Sequence, residues 1–290
     1  MNALLLSVGF GLVTASVLAL SGVGLSLQFG VTNFVNFAYG DYATLGAYVA
    51  LLLNAHGVNI YLAMAVAGVA VAVFAVAVNR VLFQPFLDRR VPLLTMLIVT
   101  LGLSLVIQNG IQSLWGPNFQ TYTVTAQTNY ALGPFLFTGQ QLVIMAVAAV
   151  CLVGVYMLLQ HTRMGKAMRA MSDNRELAEV SGIDTARVTD VTWLVSGFLA
   201  GVSGVVLALN VSSFTPLVGA LFLFLVFSVV IMGGIGKPYG AMLGALVIGL
   251  VTEVAGGFID SAYAQAIAFV VMIVLILVRP QGLFASRGRA

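Results

Sequence analysis

The chain is built from long apolar runs broken by short polar interruptions. Runs of about 20 mostly apolar residues, the length a helix needs to cross a bilayer core, fall at roughly 4–28, 34–54, 60–79, 92–113, 139–160, 191–210, 215–233, 238–256 and 262–278. None shows the alternation of a membrane β-barrel strand, so helices are the element that satisfies the backbone in lipid. Asp41 weakens the second run, and the eighth is short and carries Glu253. The pattern predicts an all-α, polytopic transmembrane helix bundle of about nine spans, within a range of about eight to ten. We expect one transmembrane domain over residues 1–290.

Composition changes the picture only by excluding alternatives. The chain is 61% hydrophobic and 7% charged, against about 25% charged in a soluble domain. So few charges cannot cover a water-facing surface of this size. The net charge of +3 is too small to argue for nucleic-acid affinity. One cysteine, Cys151, lies inside an apolar run, which excludes an internal disulfide framework and a multi-cysteine metal site. The N-terminal run lacks the basic flank of a signal peptide and exceeds its roughly 7–15-residue apolar core, so it reads as a retained span.

Orientation follows from lysine and arginine. Nine crossings with the N-terminus outside put the loops 80–91, 161–190 and 234–238, and the tail after 278, on one face. All twelve basic residues lie there: Arg80, Arg89, Arg90, Arg163, Lys166, Arg169, Arg175, Arg187, Lys237, Arg279, Arg287 and Arg289. The positive-inside rule makes that face, with the C-terminus, cytoplasmic.

One segment departs from this apolar pattern. Residues 161–190, which include RMGKAMRAMSDNRELAEVSGID, hold ten of the chain's 21 charged side chains and balance them to zero. A lipid-binding polybasic patch would carry one sign. Asp173 followed by Glu176 resembles a capping box, and Gly182 stands where a helix C-cap glycine would. Leu177 and Val180 lie three apart on one side, and Met164, Ala167, Met168 and Met171 form a second stripe. A mere connection needs only a few residues. The segment reads as a short structured element with an apolar face in a charged rim, fit to dock a soluble partner.

Residues 162–206, TRMGKAMRAMSDNRELAEVSGIDTARVTDVTWLVSGFLAGVSGVV, resemble the cytoplasmic loop and following helix of permeases of the branched-chain amino acid (LivH-type) ABC-importer family. VTNFVNFAYGDYATLGAYVA, GGIGKPYGAMLGA and the ending VRPQGLF agree with that family in its order along the chain. The resemblance implies a coupling helix seated in a groove of an ATPase subunit, carried over here to Arg169, Ser172, Asp173, Asn174, Arg175, Glu176, Ala178, Gly182 and Ile183. It further implies a second permease subunit, identical or homologous, an extracytoplasmic solute-binding protein, and a multi-pass location in a prokaryotic inner membrane. Branched-chain or other hydrophobic amino acids are the implied cargo, with amides or urea as alternatives. Where the family commonly carries His and Glu, this chain has Tyr39 and Asp41, and tyrosine does not titrate near neutrality as histidine does.

The chain's own chemistry is sparse. GGIGKPYG fails as a phosphate-binding loop, because Ile231 stands where the first glycine belongs and Pro238 follows Lys237 in place of Ser or Thr. His56 and His161 fall in loops on opposite faces and cannot share a site. We therefore expect no catalytic residues, no metal site and no cofactor bound by this chain, with ATP hydrolysed by partner subunits. Gly197 and Gly201, and Gly236, Gly240 and Gly244, are spaced by four, which suits close helix packing in lipid. Intramembrane polar residues are pathway candidates: Asn33, Asn36, Tyr39 and Asp41 near the break between the first two spans, and Gln108 and Asn109, with Gln112, toward the outer end of the fourth. Helix capping and interhelical hydrogen bonding compete as explanations. Glu253 comes out near the outer interface, with a partner, a wet pocket or a protein contact as explanations. A secondary transporter or channel for a small polar solute such as an amide or urea is the rival function. It would favour intramembrane ion-coupling carboxylates in matched halves, and only Asp41 and Glu253 qualify.

Overall fold

The computed structural model describes residues 2–89, 91–124, 128–132, 135–258, 261–279 and 282. In chain order the elements are α1 (Asn2–Thr32), α2 (Tyr39–Ala55), α3 (Ile60–Val78), a π-helical turn (Asn79–Phe83), α4 (Gln84–Asp88), α5 (Leu93–Trp115), strands β1 (Asn129–Leu132) and β2 (Phe135–Thr138), α6 (Gly139–His161), α7 (Arg163–Asp173), α8 (Arg175–Val180), α9 (Thr185–Val211), α10 (Val218–Gly233), α11 (Pro238–Phe258) and α12 (Ser261–Val278). Every apolar run of the sequence falls on a helix. Arg90, Arg287, Arg289 and most of the VRPQGLF ending lie outside the described residues.

Among the described residues, six helices are long and apolar enough to cross a bilayer by themselves: α1, α3 with its continuation to Asp88, α5, α6, α9 and α11. α2 has 17 residues and α10 has 16. At a rise of 1.5 Å per residue they reach about 24–26 Å, short of a core about 30 Å thick. The second run begins as a helix at Tyr39 rather than at 34, because Asn33 takes a left-handed φ of +59° that closes α1.

The chain divides into two compact units. One is formed by Leu27–Val124 and Val153–Leu223. At its centre α9 packs against α2 and α3 with almost no side chain between the backbones. A Cβ on Gly204 would overlap the Ala43 carbonyl oxygen. One on Gly201 would sit 2.9 Å from Val71 Cβ and 3.0 Å from Gly68 Cα. Tyr39, Tyr42, Tyr48 and Trp193 are buried around this contact. Trp193 stacks on Phe83 with centroids 5.2 Å apart, and Phe34 closes the cluster 5.4 Å from Phe83. The π turn brings Phe83 inward and leaves Arg80 outside, ion-paired with Asp190 at 2.6 Å. Beyond α5, Tyr122 folds back so that its hydroxyl donates to the Ala47 carbonyl at 2.9 Å, and burial raises its pKa above the ordinary phenol value.

The other unit comprises Met1–Ser26, Thr125–Leu152 and Phe224–Ala290. Here too glycine sets the spacing. Gly233 and Gly240 approach until a Cβ on either would strike the other's backbone, and Gly244 lies against the Val229 carbonyl. β1 and β2 pair antiparallel, Asn129 opposite Thr138 and Tyr130 opposite Phe137. The sequence reading assigned no strand there, although NYAL and FLFT around Gly133-Pro134 carry a hairpin pattern. β2 leads straight into α6 through a reciprocal cap: Thr138 Oγ1 accepts from the Gln141 N–H at 3.2 Å, and Gln141 Oε1 from the Thr138 N–H at 2.9 Å.

Candidate functional site

The charged segment folds as helices rather than as a loop. Leu158 and Leu159 lie so close to Gly165 that a Cβ would overlap their backbone, and the chain turns sharply there from α6 into α7. Thr162 caps α7 by accepting from the Gly165 N–H at 2.9 Å. The stripe Met164, Ala167, Met168 and Met171 faces inward. Met168 and Met171 are buried, and α7 packs on α9. Arg169 Nη1 donates to Gln160 Oε1 at 2.7 Å, tying α7 back to α6.

The capping box expected at Asp173 does not form. Asp173 is the last residue of α7, and the extended Asn174 caps α8, its Oδ1 accepting from the Leu177 N–H at 2.9 Å. The reason is local: the α7 ladder runs one residue further, to the bond from Asn174 N–H to Ala170 O. At the other end Gly182, at φ +83°, donates to Glu179 O at 3.0 Å, and Ile183 donates to Ala178 O at 3.1 Å. Those two bonds make a Schellman closure, which favours glycine at the left-handed position. Asp184 then caps α9. Three side-chain caps in 23 residues hold this element in one shape.

Within it Ala178 is buried and Ile183 half-buried, while Ser172, Asp173, Asn174, Glu176 and Gly182 are exposed and Arg175 is partly so. The two apolar side chains that point away from the body are Leu177, 63% exposed, and Val180, 87% exposed. The methionine stripe is consumed by packing and this pair is not.

The polar candidates in the spans separate into explained and unexplained groups. Asn33 terminates α1. Asn36 Oδ1 accepts from the Ala38 N–H at 3.0 Å ahead of α2, so capping accounts for that oxygen. Tyr39 is buried, its hydroxyl 3.4 Å from Ser196 O. Asn109 is exposed and bonds its own helix at Leu105 O, apart from Gln108, which is half-buried and donates to Ser104 Oγ at 2.9 Å. Asp41 is fully buried in the first turn of α2, and neither carboxylate oxygen closes a hydrogen bond of ordinary geometry. Ser104 and Gln108 on α5 are its nearest donors, off the ordinary hydrogen-bond geometry. Asn36 Nδ2 and the Tyr42 hydroxyl are likewise buried, and they approach each other without closing a hydrogen bond of ordinary geometry. A carboxylate in a first helical turn gains about 0.3–1 kcal/mol from the helix dipole, whereas desolvating it costs several kcal/mol. The dipole does not account for Asp41.

Sequence reasoning missed two members of this cluster. Tyr42 adjoins Asp41, and Ser104 lies four residues before Gln108, hence on the same helix face. Gly197 and Gly201 face α3, where Gly197 would press a Cβ to 2.6 Å from Ala75 Cβ. Gly240 and Gly244 lie at the α10–α11 contact. Gly236 sits in the turn before α11 with φ +77°. Glu253 has a partner, since Thr14 Oγ1 donates to Glu253 Oε1 at 2.6 Å.

Apolar helices long enough to cross a bilayer, packed through glycine within each unit, define a multi-pass membrane protein. Residues 7–276 match the family described as branched-chain amino acid transport system / permease component, and the chain belongs to it. It is 31% identical over 286 residues to the probable branched-chain amino acid transport permease protein LivH of Methanocaldococcus jannaschii, covering 94% of this chain and 90% of that protein. Against the high-affinity branched-chain amino acid transport system permease protein LivH of Escherichia coli the identity is 26%, over 94% and 92% of the two chains. The ribose import permease protein RbsC of Escherichia coli is 27% identical over 90% of this chain and 81% of its own. A solved chain described as an ABC transporter of metal-chelate type in an inward-facing conformation shares the fold, with a TM-score of 0.51 at 16% identity over 94% of this chain and 85% of that one. The protein is a permease subunit of an ATP-binding-cassette importer.

Proposed function

We propose that the chain forms half of a pathway for branched-chain or other hydrophobic amino acids across a prokaryotic inner membrane, as one nine-span domain with its N-terminus outside and its C-terminus in the cytoplasm. The twelve basic residues, all on the cytoplasmic side in that topology, support the orientation. A second permease subunit, identical or homologous, completes the pathway, and a solute-binding protein delivers cargo from outside. ATPase subunits hold α7–α8, with Arg169, Ser172, Asp173, Asn174, Arg175, Glu176, Ala178, Gly182 and Ile183 forming or shaping the contact. ATP is bound and hydrolysed by those partners, so this chain needs no catalytic residue or cofactor of its own. Asn33, Asn36, Tyr39, Asp41, Gln108 and Asn109 belong to the pathway region, Asn109 at its outer, exposed margin.

The observation that carries this reading is the uncovered pair Leu177 and Val180 on a rigidly capped element. Motion of the ATPase subunits is passed from α7 to α9, on which it packs, and from Asp190 of α9 to Arg80. The test is uptake of radiolabelled L-leucine into vesicles containing the assembled importer, with ATP or with a non-hydrolysable analogue. Accumulation that needs hydrolysis is expected. Uptake driven by an ion gradient without the ATPase subunits would overturn the proposal.

A further inference from the structure

Asp41 Oδ1 and Oδ2, Asn36 Nδ2 and the Tyr42 hydroxyl are polar atoms of fully buried side chains, lie in one compact unit, and close no hydrogen bond of ordinary geometry. Buried polar groups in folded proteins are almost always paired, and an intramembrane carboxylate without a cation marks a functional site by default. Tyr42 is within reach of both Asn36 and Asp41. Ser104 and Gln108 of α5 lie close to the carboxylate. The surrounding frame is anchored: Tyr39 reaches Ser196, Gln108 is bonded to Ser104, and Thr44 Oγ1 accepts from the Gly219 N–H at 3.0 Å.

This inventory has a chemical complement. Two carboxylate oxygens accept, while an amide N–H and a phenol O–H donate. A guest that satisfies both halves carries a cationic donor and an anionic acceptor a few ångströms apart. We propose that Asp41, Asn36 and Tyr42 form a zwitterion site inside the permease: the Asp41 carboxylate receives the substrate's α-ammonium, and Asn36 Nδ2 and the Tyr42 hydroxyl donate to its α-carboxylate. The inference rests on the amino-acid pathway proposed above and deepens it, because it makes the permease itself a reader of cargo. A sugar, an amide or urea brings no ammonium and leaves Asp41 uncompensated, so the site selects against such solutes. Alternating access fits the arrangement, since the cluster is closed from solvent here and opens when the helices around it part.

The experiment uses the complete importer, with ATPase subunits and binding protein, in vesicles of phosphatidylethanolamine and phosphatidylglycerol. ATP-driven uptake of radiolabelled L-leucine is measured for wild type, Asp41→Asn and Tyr42→Phe, with co-purification of the ATPase subunits as the check on assembly. Asp41→Asn keeps the shape and removes the charge, and loss of a charged hydrogen bond lowers uptake about tenfold or more. Tyr42→Phe removes one donor and lowers it severalfold. Leucine uptake by assembled Asp41→Asn at the wild-type rate overturns the site. If Asp41→Asn does not assemble, Tyr42→Phe decides: reduced uptake supports the site and unchanged uptake overturns it. Failure of the wild-type importer to accumulate leucine with ATP is a different result, and it sinks the amino-acid pathway instead.

Discussion

Truncating Leu177 and Val180 together separates docking from folding. Fully burying a leucine or valine side chain is worth about 1.5–3 kcal/mol. With 63% and 87% of these two residues open to be covered by a partner, roughly 1–2 kcal/mol of association free energy is available from each. Alanine keeps the β-carbon, so Leu177→Ala with Val180→Ala removes about 2–3 kcal/mol in all. That corresponds to about a 30- to 150-fold weaker grip on the ATPase subunit. The permease itself should not notice. Both side chains are mostly exposed, surface changes of this kind stay within about 0.5 kcal/mol, and alanine is the better helix former. The assay is equilibrium binding of the purified ATPase subunit to permease held in nanodiscs, beside the thermal midpoint of the permease alone. An unchanged affinity would refute the reasoning. So would a large fall in the midpoint, because it would mean that these side chains hold the fold.

Four further outcomes follow from the caps, the packing and the hydrogen bonds. Asn174→Ala removes the α8 cap and should cost about 1 kcal/mol locally, seen as faster hydrogen exchange over 175–180 with the spans unaffected; uniform protection would contradict the cap's role. Gly204→Leu forces side-chain atoms against the Ala43 backbone, and overpacking of at least about 1–3 kcal/mol should lower the thermal midpoint and abolish uptake; wild-type uptake would contradict the close α2–α9 contact. Gly240→Leu meets the Gly233 backbone in the same way, with the same expected loss of assembly or transport. For Thr14→Val, the lost partner leaves Glu253 with an unmet acceptor at a cost of about 1–3 kcal/mol, read as a lower midpoint that Glu253→Gln partly restores; an unchanged midpoint would mean that the hydrogen bond carries no stability.

Helix positions were legible because lipid leaves a helix no alternative for its backbone: each run of about 20 apolar residues became one helix. The helix starts were less so. Asn33 in a left-handed conformation moved the start of α2 to Tyr39, an effect of one dihedral that composition does not encode. The coupling element was visible from its charges and from Gly182, yet its cap shifted by one residue to Asn174, since either neighbour can cap and the length of α7 decides between them. Neither stripe of that element could be assigned inward or outward from sequence, because methionine and leucine serve both. The hairpin at 129–138 was overlooked amid stronger helical signals. Asp41 drew attention in the sequence as an intramembrane acid, but its unpartnered state, and the grouping with Asn36, Tyr42, Ser104 and Gln108, depend on which faces of α2 and α5 meet.

The claim that α7–α8 is the handle on which the ATPase acts is tested most directly by a photo-crosslinking side chain placed at Val180 in the assembled, pumping importer. The account predicts that illumination joins the permease to the ATPase subunit in high yield, with a yield that changes between the nucleotide-free and ATP-bound states. An importer that accumulates substrate while position 180 crosslinks to nothing but lipid or solvent would contradict it.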